Sequence, residues 1–260
     1  MQDQTIDEIL ETATADCFWV PPDVHVVDRP ELSYVHSRRS PLNFNRVLRA
    51  RPSQAHPGRL VAEVLEAHGD GDSRWTVNAI SDTPQMRRAL SDAGYKEGPL
   101  HYAYATEVGA YRRRPPAGVE AQPVGSIDDL RTLYEIRSAV FGGDVGLSWR
   151  DLERELDDCT GPDRRVVRFV AYRNGEPAGS GGMTFFDDLK FALIWAGGVV
   201  EEHRGNGVYT ALLAARAQVA RRRGLRRLGL YAREDTSAPI VDAHGFERHG
   251  HFQYFDRIAL

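Results

Sequence analysis

The sequence repeats itself across its two halves, and that repeat limits the folds open to it. Arg74-Trp75-Thr76-Val77-Asn78-Ala79 precedes Asp82-Thr83 just as Arg227-Leu228-Gly229-Leu230-Tyr231-Ala232 precedes Asp235-Thr236, an offset of 153 residues (74 to 227). Further on, Asp92-Ala93-Gly94-Tyr95-Lys96 echoes Asp242-Ala243-His244-Gly245-Phe246-Glu247 at an offset of 151 (94 to 245), and each half ends on an aromatic run, His101 to Tyr104 and Phe252 to Phe255. A self-similarity of this kind points to a duplicated fold. Between the halves, Tyr111-Arg112-Arg113-Arg114-Pro115-Pro116-Ala117-Gly118 combines charge, two prolines and a glycine, which favours an extended, exposed connector. The expected organisation is a first domain over 1–110, a linker over 111–118 and a second domain over 119–260.

Bulk properties narrow the function. With 42% hydrophobic and 27% charged residues in 260, the chain has enough apolar material for a core without staples. A net charge of -4 gives no global attraction to nucleic acid or anionic membrane, so neither is an expected partner. No apolar run approaches the roughly 20 residues of a membrane span. The first residues, Met1 to Glu8, are polar and acidic, unlike a secretory signal. Cys17 and Cys159 lie far apart and lack metal or redox spacing, which fits a reducing, cytoplasmic setting.

Downstream of the connector the patterning is clear. Val119 to Val124 reads as a strand, and Ser126 caps a helix carrying Leu130, Leu133, Ile136 and Val140 at helical spacing. Trp149 to Leu156 reads as a second, short helix. Arg164 to Tyr172 and Pro177 to Phe185 read as a hairpin about Asn174-Gly175, and Phe191 to Val200 as the next strand. Then come a helix from Gly207 to Arg223 stopped by Gly224, a strand over Leu228 to Ala232, a short helix from Ser237 to His244 and a closing strand over Gly250 to Arg257. This order makes an α/β (α+β) domain of about 140 residues, with a mixed sheet flanked by helices.

The chemistry centres on one passage of that domain, Val199-Val200-Glu201-Glu202-His203-Arg204-Gly205-Asn206-Gly207-Val208-Tyr209-Thr210. A strand enters a glycine turn and leaves as an apolar helix. Such a turn lets backbone approach a ligand, and the unpaired N–H groups of the helix start, with the helix dipole, suit a pyrophosphate. Arg204 adds a charge-assisted donor.

The passage resembles the Arg/Gln-x-x-Gly-x-Gly/Ala signature of the GCN5-related N-acetyltransferase (GNAT) family, with Arg204 and Gly207 matching and Tyr209 in place of the last small residue. The resemblance runs from Val119 to the C-terminus. It implies acetyl-CoA as co-substrate, with its pyrophosphate on Arg204, Gly205, Asn206, Gly207, Val208, Tyr209 and Thr210. It also implies that Gly198, Val199 and Val200 hold the pantetheine arm and polarise the thioester carbonyl. Many family members carry an acidic tyrosine four residues before a Gly-Phe pair, here Gly245-Phe246. That position is Val241 in this chain. Ser237, Glu234 and Asp235, just upstream, are the candidate catalytic residues in its place; helix capping is the competing role for Ser237. Glu201, Glu202, Asp187 and Asp188 are candidates for the base.

Two other features invite attention. Arg221-Arg222-Arg223 with Arg226-Arg227 form a basic run at a helix end, where a solvated face competes with a contact to the 3′-phosphate of coenzyme A. His244, His249 and His251 have roughly metal-like spacing but no fourth ligand, so no metal is expected. In the first half the counterpart of the glycine turn, Arg51 to Leu60, lacks the pattern and carries Pro52 and Pro57, which donate no hydrogen bond. The first half therefore resembles the degenerate partner of tandem acetyltransferases, a scaffold with Phe18, Trp19, Phe44 and Trp75 as candidate walls of an acceptor groove. The expected reaction is acetyl transfer from acetyl-CoA to a primary amine of a small molecule or peptide, by a monomer or homodimer. A non-catalytic acyl-CoA-binding regulatory module, a longer acyl-CoA and an oxygen acceptor stay open.

Overall fold

The computed structural model describes residues 4–20, 23–37, 44–143 and 148–259. The chain divides into two units that are not consecutive halves. The first holds Met1–Tyr104, Tyr231–Asp242 and Arg248–Leu260; the second holds Ala105–Leu230 and Ala243–Glu247. The last strand of the sequence thus clusters with the first half of the chain, and the basic connector clusters with the second.

In the first unit a helix, α1 (Ile6–Ala15), opens with a capping box in which Thr5 and Glu8 satisfy each other's amides. It precedes a meander of β1 (His25–Arg29), β2 (Leu32–His36) and β3 (Arg46–Ala50). Next come α2 (Pro57–His68), β4 (Ser73–Asn78), α3 (Pro84–Asp92) and the long β5 (Lys96–Glu107). β3 and β4 run parallel, with Val47 opposite Trp75. The closing strand of the chain, β11 (Glu247–Arg257), pairs antiparallel to β4, Phe255 opposite Trp75, and lies between β4 and β5. Trp75, a candidate groove wall, is instead fully buried in this unit's core with Val61, Val64, Met86 and Leu90. Phe18 and Trp19 are exposed, and the Trp19 ring stacks on Phe44.

The second unit is built from β6 (Val119–Pro123), α4 (Ile127–Phe141), α5 (Trp149–Thr160), β7 (Val166–Arg173), β8 (Glu176–Phe186), β9 (Phe191–Val199), α6 (Val208–Arg222) and the start of β10 (Arg227–Arg233). The strand order is β10-β9-β8-β7-β6, antiparallel except for the parallel β9–β10 pair. Local chemistry sets most of these elements. Ser126 and Asp129 close a capping box on α4, worth about 1 kcal/mol. Asn174 and Gly175 both take positive φ (53° and 84°), the mirror-image turn that matches strand twist in a hairpin. Gly224 takes φ 73° just past α6. Leu130, Leu133 and Ile136 of α4 meet Val170 and Val200 in the core on one face of the sheet. A short helix, α7 (Ala238–Ala243), completes the secondary structure, and no helix among the described residues is long and apolar enough to cross a membrane.

Beneath α6 the sheet is paved with glycine for a steric reason. A Cβ on Gly179 would lie 2.8 Å from the Val208 side chain, and one on Gly181 would lie 2.8 Å from the Arg216 guanidinium carbon. Arg216 is fully buried, and none of its three guanidinium nitrogens has a hydrogen-bond partner among the described residues; the Phe169 ring lies 5.9 Å away. Burial pushes its pKa down to about 10. An unpaired buried charge opposes folding.

Two stability predictions follow from these packings. Replacing Arg216 by Met should raise unfolding stability by at least about 1 kcal/mol in denaturant titration, because an apolar side chain of similar length removes a desolvated charge. Gly181→Ala should cost about 2 kcal/mol in the wild type and much less beside Arg216→Ala, since the new methyl then has space. Equal costs in both backgrounds would refute the contact. In the first unit, His68 is buried between the Ser73 hydroxyl (2.7 Å) and the Val35 carbonyl (3.0 Å), and desolvation lowers its pKa from 6.5 to about 4. The unfolded chain therefore binds the proton first as pH falls. Stability should drop between pH 6.5 and 4, by about 2 kcal/mol at pH 5, and His68→Asn should flatten that window in pH-resolved denaturation.

Candidate functional site

β9 sets the geometry of the second unit's open edge. Its ladder with β10 comprises three pairs, Phe191 with Arg227, Ala192 with Leu228 and Leu193 with Gly229. Past Leu193 it runs on to Val199 while keeping β8 on its other side. Opposite Gly181 it carries two residues, Ala196 and Gly197, where the register shifts and Ala196 takes φ 48°. This is a β-bulge, which leaves one residue unpaired, interrupts the ladder locally and bends the strand. A Cβ on Gly197 would lie 3.1 Å from the Tyr209 ring on the α6 side. One on Gly198 would lie 2.7 Å from Val140 and 3.1 Å from the Phe141 ring of α4. The two glycines let both helices close on one strand.

The glycine turn follows directly. Glu201–His203 form a single 3-10 turn, Gly205 and Gly207 take φ 73° and 79°, and α6 starts at Val208. Among the described residues, no acceptor engages the N–H groups of Gly205, Asn206 or Gly207. The first amides of α6 point the same way by helix geometry. The turn holds itself open, with Asn206 donating to the Arg204 carbonyl (2.8 Å) and Arg204 Nε reaching the Val199 carbonyl (3.3 Å). Space above Gly205 is clear, whereas Gly207 is covered: a Cβ there would lie 2.8 Å from Pro116 Cγ. The connector therefore crosses the turn. Gly207 has a packing reason to be glycine besides any ligand.

Behind the turn, Thr210 hydrogen-bonds His244 Nε2 (3.0 Å), and the Tyr209 ring meets the His244 ring edge-on at 5.8 Å. Burial raises the Tyr209 pKa, and Arg216 acts against that rise. On the α4 side, Arg168 pairs with Glu155 (2.6 Å) and stacks over Trp195 (4.3 Å), while Glu155 also accepts from Tyr134. Arg137 lies over the Tyr134 and Phe141 rings. Tyr134 and Arg137 fall within the helix that Ser126 caps; their polar cluster depends on α5 and β7, which no local spacing reveals.

Four of the residues nominated for proton transfer are already engaged. Asp235 is held by both Nε and Nη2 of Arg233 (2.5 and 2.7 Å), which lowers its pKa. The Ser237 hydroxyl accepts from the Arg233 amide (2.9 Å), a turn-stabilising role. Glu234 accepts from Tyr102, whose ring lies under the Arg248 guanidinium. These three belong to the first unit, as does Val241, which is fully buried. Asp187 is likewise occupied, by Arg223 (2.8 and 2.7 Å).

Much of the basic run at the end of α6 is engaged: Arg221 reaches the Val108 carbonyl, Arg223 pairs with Asp187, and Arg227 pairs with Glu107. His251 bonds Asp82 (2.7 Å), and among the described residues no three His, Cys, Asp or Glu side chains group as metal ligands.

Residues 130–248 match the sequence model of the acetyltransferase (GNAT) family. No curated protein matches the sequence. Solved structures do match in fold. A GCN5-related N-acetyltransferase from Kribbella flavida aligns at TM-score 0.68 and 15% identity over 90% of this chain and 89% of its own. A GCN5-related N-acetyltransferase from Sphaerobacter thermophilus aligns at 0.65 and 19%, covering 90% and 75%. A tandem GNAT protein from the clavulanic acid biosynthesis pathway aligns at 0.64 and 18%, covering 96% and 88%. The repeat, the parallel pairs β3–β4 and β9–β10, and these alignments describe one arrangement: the chain has a tandem GNAT fold, and its segment 130–248 matches the GNAT acetyltransferase family.

Proposed function

We propose that the protein is a cytoplasmic N-acetyltransferase that uses acetyl-CoA to acetylate a primary amine of a small molecule or peptide. The observation that carries this reading is the row of unengaged amides at Gly205, Asn206 and Gly207, at the end of a bulged strand that runs on past its ladder with β10. Donors without acceptors at a helix start fit a pyrophosphate. Arg204, Val208, Tyr209 and Thr210 complete that cradle, and Gly198, Val199 and Val200 supply strand backbone for the pantetheine arm and the thioester carbonyl. Residues 119–260 carry the catalysis in this reading. Residues 1–110 act as scaffold, because α2 begins at Pro57 with neither a positive-φ glycine nor a side-chain cap.

Bound acetyl-CoA supplies the acyl group, which passes to the amine as the carbon–sulfur bond breaks. The protein must hold a proton for the departing sulfur and take one from the ammonium. Tyr209 is the residue we assign to the first task. It sits against Gly197 of the bulge, its raised pKa keeps it protonated at neutral pH, and Val241 has no proton to give. Asp235 and Ser237, tied to Arg233, are poorly placed to compete. Water takes the ammonium proton.

That same engagement of the nominated acids favours one other reading, an acyl-CoA-binding module without turnover. Calorimetric titration with acetyl-CoA separates binding from chemistry. Micromolar affinity, about -8 kcal/mol, is expected, falling at least tenfold in Arg204→Glu. A wild type that does not bind sinks the acetyl-CoA reading outright. A free-thiol assay over an amine panel then decides turnover, and varied acyl chains and alcohol acceptors test the longer-acyl and oxygen alternatives. Tyr209→Phe should lower kcat about 10²-fold with unchanged acetyl-CoA affinity; an unchanged kcat removes Tyr209 from the mechanism.

A further inference from the structure

Arg216 carries a buried charge that nothing in the folded chain answers. It is fully buried, and Nε, Nη1 and Nη2 all lack a hydrogen-bond partner among the described residues. Burial lowers its pKa to about 10, so it is still a cation at neutral pH. Other sheltered arginines are treated differently: Arg51 is paired with Glu11 and Arg168 with Glu155. A lone guanidinium in the interior opposes folding. Its place in the core therefore has a reason other than stability.

The surroundings supply one. Around the guanidinium, β7 presents the Phe169 ring and β8 and β9 present Gly181 and Gly197, none of them ionisable. Among the described residues, the ionisable side chain whose charge acts on Arg216 is Tyr209, and Arg216 is in turn the one whose charge acts on Tyr209. Two further titratable groups stand near the phenol: His244 meets its ring edge-on at 5.8 Å, and Tyr111 of the connector feels its charge. Positions 209 and 216 lie on one face of α6, about two turns apart. Helix side chains lean toward the N-terminus, so the long arm of Arg216 reaches back toward Tyr209. They meet at the bulge. A carbon added to Gly197 would lie 3.1 Å from the Tyr209 ring, 3.4 Å from Arg216 Nη1 and 3.6 Å from Nη2.

On the reading proposed above, in which Tyr209 gives its proton to the departing sulfur, we propose that Arg216 is the positioning residue for that step, a fixed cation whose partner charge exists only while the reaction runs. As the carbon–sulfur bond breaks, its electron pair goes to sulfur. The Tyr209 proton moves to the same sulfur, and the O–H electrons stay behind on the phenolate oxygen. The amine nitrogen releases two protons on becoming an amide; one restores the phenol through water and the other leaves to solvent. While the phenolate exists, it and the guanidinium are opposite charges in a desolvated place, where their attraction far exceeds its value in water. In the resting protein the same guanidinium faces a neutral phenol. Arg216 therefore stabilises the transition state more than the ground state, which is the condition for speeding a step. Without it, burial alone would leave Tyr209 a weaker acid.

The test uses the full chain as Arg216→Met, Tyr209→Phe and the double variant. All three should bind acetyl-CoA like the wild type in calorimetry, and Arg216→Met should be at least as stable in denaturant titration, so a lost rate is not a lost fold. Arg216→Met should lower kcat about tenfold and move the alkaline limb of the kcat–pH profile up by about one pH unit, since removing the cation disfavours the phenolate. With Tyr209→Phe already in place, Arg216→Met should change kcat no further. An unchanged kcat in Arg216→Met, or an effect that persists undiminished without Tyr209, overturns the inference. Difluorotyrosine placed at Tyr209 reads the pair without turnover: its fluorine NMR titration should have a midpoint about one pH unit higher beside Arg216→Met. No shift in that midpoint also overturns the inference. If the shift is present but the wild type turns over no amine, or Tyr209→Phe keeps full kcat, the two charges are coupled while the proposed proton donor falls, and the role of Arg216 in catalysis falls with it.

Discussion

The bulge at Ala196–Gly197 is the feature on which the rest of the second unit depends. A regular strand would present alternating Cβ atoms to α6 and α4 and would hold both helices away. Two glycines and one residue at positive φ instead let Tyr209 and Arg216 close on one face and Val140 and Phe141 on the other. The distortion follows the three-pair ladder to β10 and precedes the turn, so a sheet, two helices and an anion-ready loop meet within a few residues. Close packing leaves little tolerance there, because a single added carbon meets atoms on either face.

Electrostatics divides the arginines into two kinds. Several are neutralised in pairs: Arg74 with Asp256, Arg87 with Asp82, Arg168 with Glu155, Arg223 with Asp187 and Arg233 with Asp235. Others are not. Arg216 is buried without a partner beneath the bulge, and Arg113 faces a cavity that offers it no carboxylate. Arg113 is exposed and screened by water, whereas Arg216 is desolvated behind the strand assigned to the thioester, a cost in stability of the kind natural proteins commonly accept at functional sites.

Much of this was legible in the residues. The capping box at Ser126 and the turns at Asn174-Gly175 and Gly224 are local devices, and local chemistry placed their elements within a few residues. The duplicated pattern and the glycine turn pointed to a tandem fold and a phosphate cradle, because backbone conformation and helix-end donors are properties of short segments. The proton-transfer candidates were less legible. Ser237, Glu234 and Asp235 have suitable side chains, but their commitment to Arg233 and Tyr102 depends on partners that spacing alone did not rank.

What the sequence determined by itself is therefore the repeat, the order of helices and strands after the connector, and the turn whose glycines and arginine suit a phosphate. Tertiary structure alone decided that β11 joins the unit formed by the first half, that Pro116 lies on Gly207, and that Arg216 and Tyr111 are buried without partners. The reason is physical. Helix caps, turns and hydrophobic periods are settled by residues a few positions apart. Strand exchange, close approach and the satisfaction of a buried charge are settled by residues many tens of positions apart, whose meeting only the folded chain specifies.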